Sequence, residues 1–216
     1  MELPLFKGIS EEQVSLFLEK TCVDFLNYEE DAVIAEPDDR VKGLKFILTG
    51  SVKLLHSLKK HALILEETLN KGNVIGALNL YGLKTNYGCR IISKDKVSLM
   101  KISKEHYMNL LQSNPIYLIN YLNLLSAASQ RPVISMISSG NYSIEERISE
   151  LVRSVCSPFS HEISIYGELK SLANFCGVSE ITINEWTHSV KNKIGLIKLD
   201  SDKFIIKLED NFKFRL

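Results

Sequence analysis

The chain has 216 residues, 45% of them hydrophobic, with 26 basic and 26 acidic side chains and a formal net charge of zero. That length suits one large or two modest domains, and the apolar share excludes a disordered chain. A neutral total argues against a protein that coats nucleic acid or anionic membrane through bulk charge, while leaving room for a local basic patch.

The opening residues "MELPLFKGIS" lack a basic stretch followed by an apolar run, so no signal peptide is expected. Ser10 is a candidate N-cap, with Glu11 and Glu12 in the first turn where the helix dipole favours acids. Val14, Phe17 and Leu18 add an apolar face, and the pattern predicts a helix over residues 10–28. From about residue 31 the period changes. "AVIAE", "KFILTGSVKLL", "ALILEETL", "NVIGAL", "CRIIS" and "VSLMKIS" are short runs punctuated by turn residues, which predicts an antiparallel sandwich or roll. Gly50 can supply the positive φ of a tight hairpin turn.

Helices return at Ser103, a candidate N-cap for a segment that ends before Pro115. Next comes a long helix, expected from Ile116 to about Ile137. Ile119, Leu122, Ser126, Ser129 and Val133 recur at spacings of three and four, which suits either a coiled-coil-like seam or an ordinary core helix. Pro132 is expected to kink or end it. After "SSGNY", a hinge-like stretch, Ser143 and Glu146 form a capping box, with Ile144, Ile148, Leu151, Val152 and Val155 at helical spacing. Two further helices follow in "ELKSLANFCG" and "SEITINEWTHSVKNK", then two strands in "LIKLD" and "KFIIKLED" joined at "DSDK". Helices followed by a terminal hairpin make a winged helix-turn-helix pattern.

The four cysteines, Cys22, Cys89, Cys156 and Cys176, are scattered and form no CxxC, which reads as reduced thiols in a cytoplasmic protein. The most apolar stretch, "YLINYLNLL", is too short for a membrane span. There is no Ser/His/Asp set, HExxH, Walker loop or Rossmann glycine spacing, so an enzyme is not expected.

Five stretches in order resemble the CRP/FNR family of bacterial transcription regulators. They are "GLKFILTGSVKLL", "KGNVIGALNLYG", "SIEERISELV", "LANFCGVSEITINEW" and "GLIKLDSDKFIIKLED". The resemblance implies an α+β fold. An N-terminal antiparallel β-roll of the cyclic-nucleotide-binding, jelly-roll type would span residues 1–115. A dimerisation helix would span 116–139, and a winged helix-turn-helix domain 140–216. It implies a homodimer joined through the long helix, double-stranded DNA as partner, RNA polymerase as a further partner, and an effector held in the roll.

The effector cassette departs from the family pattern. Cyclic-nucleotide-binding members use a Gly-Glu pair for the ribose hydroxyl and an Arg-Ser or Arg-Thr pair for the phosphate. The matching positions here are Gly76-Ala77 and Tyr87-Gly88. Removing a charge-assisted hydrogen bond costs on the order of 1.5–3 kcal/mol, so without both anchors cyclic AMP is not expected to bind. Asn79, Lys84, Thr85 and Asn86 can line an altered pocket, and Lys84 and Arg90 are nearby cations, but nothing names a ligand. Iron–sulfur is not expected with only Cys22 near the N-terminus, nor is haem on His56, His61 or His106.

In "GVSEITINEW" the frame of a DNA-reading helix is intact: Gly177 suits a left-handed turn and Ser179 an N-cap. Family members often carry Arg, Glu and Arg where this chain has Glu180, Ile181 and Glu185. Arginine reads guanine bidentately and glutamate cannot, so the family's usual half-site is not this protein's. Asn184 can bond adenine and Ile181 can touch a thymine methyl, while Ser179, Thr182 and His188 can reach phosphates or bases. Lys170, Lys191, Lys193, Lys198 and Lys203 can serve the backbone. Residues 140–216 hold ten Lys/Arg against eleven Asp/Glu, unlike an average basic DNA-binding domain. The alternative is a degenerate member that binds small molecules or proteins instead.

Overall fold

The computed structural model describes residues 4–131, 133, 142–157, 159–160, 162–190, 197–198 and 203–208. These divide into two compact units, one of residues 1–52 and 70–130, the other of residues 53–69 and 131–216. The sequence places residues 53–69 in its N-terminal segment; in the structure they pack within the second unit. Among the described residues no helix is long and apolar enough to cross a membrane.

The first unit opens with a 3₁₀ turn, Pro4–Phe6, and helix α1, Glu11–Lys20. Ser10 caps α1 in a reciprocal capping box with Gln13. The expected helix over 10–28 is corrected here, because residues 23–28 form strand β1, Val23–Tyr28. β1 pairs antiparallel with β8, Val97–Ser103, from Val23↔Ile102 to Tyr28↔Val97, and this long-range ladder overrides the local helical pattern. β8 also pairs with β3, Gly43–Thr49, which pairs with β6, Val74–Ile75, to complete a four-stranded sheet. β2, Val33–Ala35, pairs with β7, Arg90–Ser93. This is the antiparallel roll.

Gly50 turns β3 into β4, Ser51–Leu58, at φ 76°; a Cβ there would stand 2.4 Å from the Lys96 carbonyl oxygen, so only glycine fits. Asp95 holds the turn by accepting from the Ser51 N–H at 2.8 Å and its hydroxyl at 2.6 Å.

One face of the β3–β8 sheet carries Leu44, Phe46, Met100 and Ile102, all buried. Against the roll lie α2, Lys104–Ser113, capped by Ser103, and α3, Pro115–Ser129, capped by Asn114 with Pro115 at its first turn. Phe46 meets Phe6 edge-on at 5.4 Å, and Phe6 meets Tyr117 at 5.6 Å. The helix expected to run to about Ile137 stops at Ser129. Proline disfavours helical backbone in the residue ahead of it, and the helix ends short of Pro132, which itself lies outside the described residues.

In the second unit, α4, Ile144–Val155, starts at the capping box of Ser143 and Glu146. It leads to β9, Glu162–Glu168, a strand that the sequence pattern does not predict. Then come α5, Leu169–Cys176, and α6, Glu180–Val190, followed by β10, Ile197–Lys198, and β11, Lys203–Leu208. β9 pairs on one side with β11 and on the other with β5, Leu63–Asn70, in register from Leu63↔Gly167 to Thr68↔Glu162. The core joins Leu63 and Leu65 of β5 to Ile148, Leu151, Ile165, Leu172, Phe175, Ile183, Trp186 and Phe204. The turn expected at "DSDK" falls largely outside the described residues.

Glu67 on β5 is 2% exposed, with a carboxylate satisfied by three donors from two segments. It accepts from His56 Nε2 at 2.7 Å, from the Ser157 N–H at 2.6 Å and from the Ser160 hydroxyl.

Candidate functional site

The α5–α6 corner is built as its sequence predicts. Gly177 ends α5 at φ 64°, ψ 33°, and the Val178 N–H closes on the Ala173 carbonyl at 3.1 Å. The Ser179 hydroxyl accepts from the Thr182 N–H at 3.1 Å and lies 2.8 Å from the Thr182 hydroxyl. These bonds satisfy a first-turn donor and leave one of the two hydroxyl protons free to point outward. Ile183, Trp186 and Thr187 face the core, and the Trp186 indole donates to Glu145 at 2.5 Å. The opposite face presents Ser179, Glu180, Ile181, Thr182, Glu185 and His188 to solvent, while Asn184 is half-buried beside it. Ile181 is 72% exposed, an unusual place for a large apolar side chain. Lys170 on α5 is exposed. Lys191 and Lys193 lie outside the described residues, as do the side chains of Lys198 and Lys203.

The stretch expected to form an effector cassette lies in the first unit. Gly76 sits at φ 86°, ψ 0°, beside buried Ala77 and half-buried Asn79. Thr85 and Asn86 are tied to a neighbouring segment: the Thr85 carbonyl accepts from the Val41 N–H at 2.7 Å, and the Asn86 amide donates to the Asp38 carbonyl at 2.6 Å. Lys84 and Gly88 are exposed. Tyr87 is buried against Gly76, where a Cβ would lie 3.6 Å from its ring. Gly76, Ala77 and Tyr87 thus stay together, whereas Lys84 is open to solvent.

Sequence reasoning missed Lys45. On β3 it donates to the Tyr87 hydroxyl at 2.6 Å. Burial, then the charge of Lys101, pulls its ammonium down from 10.5 to about 8, partly opposed by Asp39. Burial also pushes the Tyr87 phenol up to about 12. One signal was available: Lys45 shares the two-residue period of buried Ile47, on the face opposite Leu44 and Phe46.

On α3 the stripe is solvent-facing, with Ile119 54% and Leu122 53% exposed and Ser126 and Ser129 open. Val133 is exposed and lies beyond the end of the helix. Among the described residues no group of three or more His, Cys, Asp or Glu is placed to hold a metal. Cys22 is exposed and the other three cysteines are buried, with burial raising the Cys176 thiol to about 12.

Comparison with curated proteins finds no match. Among solved structures, the sensor domain of the transcriptional regulator DNR from Pseudomonas aeruginosa is similar at 21% identity, over 57% of this chain and 81% of that one, with a TM-score of 0.48. The catabolite activator protein of Thermus thermophilus is similar at 19% identity, over 94% and 93% of the two chains, with a TM-score of 0.47. A transcriptional regulator from Thermotoga maritima is similar at 17% identity, over 52% and 86%, with a TM-score of 0.46. Residues 25–114 match the family model of the cyclic nucleotide-binding domain.

Proposed function

We propose that this protein is a DNA-binding transcription regulator of the CRP/FNR type rather than an enzyme, a homodimer that reads promoter DNA with α6 and does not respond to cyclic AMP. The observation that carries the reading is the two-sided α6. Its inner face is anchored by Ile183 and Trp186, and its outer face offers Ser179, Ile181, Thr182 and His188 at the end of a Gly177 turn. An exposed isoleucine in the first turn suits contact with a thymine methyl. In this reading α5, α6 and the β10–β11 pair form a winged helix-turn-helix. Lys170 holds the phosphate backbone together with Lys191, Lys193, Lys198 and Lys203, and RNA polymerase is the downstream partner. The apolar α3 face around Ile119 and Leu122 supports a dimer seam, since a water-facing Ile/Leu stripe is stabilised by a second copy. Loss of the carboxylate, guanidinium and hydroxyl from the cassette supports insensitivity to cyclic AMP.

A second reading has its own observation. Glu180 and Glu185 lie exposed on the outward face and repel phosphates, which favours a member that has given up specific DNA reading.

Selection of bound fragments from the source genome, at low and then physiological salt, separates the two. The expected result is an enriched palindrome, with Asn184→Ala and Glu180→Ala changing base preference rather than affinity alone. Binding that disappears with salt and enriches no motif would establish the second reading instead.

A further inference from the structure

One face of the four-stranded sheet carries a polar cluster around Lys45. Lys45 on β3, Lys101 on β8 and Asp24 on β1 sit side by side in the registers Lys45↔Lys101 and Asp24↔Lys101. Lys101 is matched by Asp24 at 2.9 Å. Asp39, the other nearby carboxylate, is turned into its own loop, accepting from the Glu36 N–H at 2.8 Å. Lys45 bonds to a neutral phenol. The Tyr87 oxygen accepts from Lys45, and among the described hydrogen bonds its own proton is donated to nothing. The half-buried Lys45 ammonium thus has no direct carboxylate partner, Asp39 acting on it only from a distance, and the O–H of buried Tyr87 is free of a described acceptor.

We propose that this end of the roll binds a small carboxylate ion, with the Lys45 ammonium supplying the charge and the Tyr87 hydroxyl a second donor. A single ammonium without a direct ion-pair partner, with two carboxylates nearby, suits a singly charged ligand better than a multiply charged one. The chemistry disfavours phosphate, which is best held by a guanidinium fork or several cations, and neither stands here. The Tyr87 ring, packed against Gly76, bars a nucleotide from the cassette. The site involves no residue of α6 and stands whether or not the protein reads DNA. Binding needs the protonated lysine, so it weakens as pH rises through about 8. The other ionisable groups facing the pair are Lys101, Asp24, Asp39, Tyr28 and Cys89.

The test is titration of the full chain with monocarboxylates from acetate to hexanoate, read by the backbone amide NMR signals of residues 44–47 and 86–88, which every variant retains. Inorganic phosphate and cyclic AMP serve as comparison probes. A saturable shift is expected with at least one carboxylate. It should weaken at least tenfold in Lys45→Met, several-fold in Tyr87→Phe, and between pH 7 and pH 9 in the unaltered protein. If Lys45→Met fails to fold, Tyr87→Phe and the pH series decide the matter. Absence of a shift with every carboxylate, equal binding by the folded variants, or tighter binding of phosphate or cyclic AMP would overturn the proposal.

Discussion

Lys45 and Glu67 are both charges drawn out of water on strands of the same chain half, yet they are treated in opposite ways. Glu67 is met by three donors from β4 and from the segment after α4, and its carboxylate has little left to offer. Lys45 is met by one phenol oxygen. A buried charge whose hydrogen-bonding capacity is filled by its own fold is structural, because any newcomer would have to displace a partner. A charge left underfilled costs the fold stability and remains available to a ligand. The difference separates an internal fastening from a receptor site without reference to any family.

The largest effect should come from Glu67→Ala, which strands the Ser157 N–H, the Ser160 hydroxyl and His56 in a dry place. A loss of about 3 kcal/mol is expected in urea unfolding of the second unit. A loss under about 1 kcal/mol would erase the contrast with Lys45. Glu67→Gln keeps the shape but turns an amide NH₂ toward donors, and a loss of about 1–2 kcal/mol is expected by the same measurement.

Lys45→Met should leave unfolding stability at pH 7 unchanged or higher. A marked loss would mean the cation is a prop rather than a spare charge. The pH dependence follows from linkage. Lys45 titrates near 8 when folded and near 10.5 when unfolded, so between those values the unfolded chain holds more protons. Its destabilising contribution is therefore complete below about 8 and fades as pH rises toward 10. Any stability advantage of Lys45→Met over the parent should shrink across the same interval, as read by unfolding curves at pH 7 and pH 9.5. The smallest effect belongs to the Asp24–Lys101 pair, whose Asp24 side chain is 64% exposed. Asp24→Asn should change stability by no more than about 0.5 kcal/mol, and less in high salt.

The strands of the roll were legible wherever period and punctuation coincided, as at β3, Gly50 and β4, and capping chemistry marked the starts of α1, α2 and α4. What escaped depends on partners far along the chain. Val23–Tyr28 reads as helix until β8 is present to pair with it. β9 is short, flanked by helices, and joined to β5 by bonds such as Tyr166 to Glu66, 100 positions apart. Glu67 has the same two-residue period as Leu63 and Leu65, a hint of burial, but the donors that permit it lie 90 and 93 positions later. The outward residues of α6 were named from sequence, because a helix with a Gly turn before it and an apolar inner face has only one side left to show.

The second unit takes strand β5 and two of its core leucines from residues 53–69, and the rest from residues 131–216. During synthesis β5 leaves the ribosome long before β9 exists, so the unit waits on a distant segment and its closure is a late step of high contact order. A gene fragment beginning at residue 131 would make a β9 with one open ladder edge and an uncovered Ile165, the makings of a sticky fragment rather than a portable module. Recombination that exchanges this half between proteins must carry residues 53–69 with it, which binds the history of the two segments together.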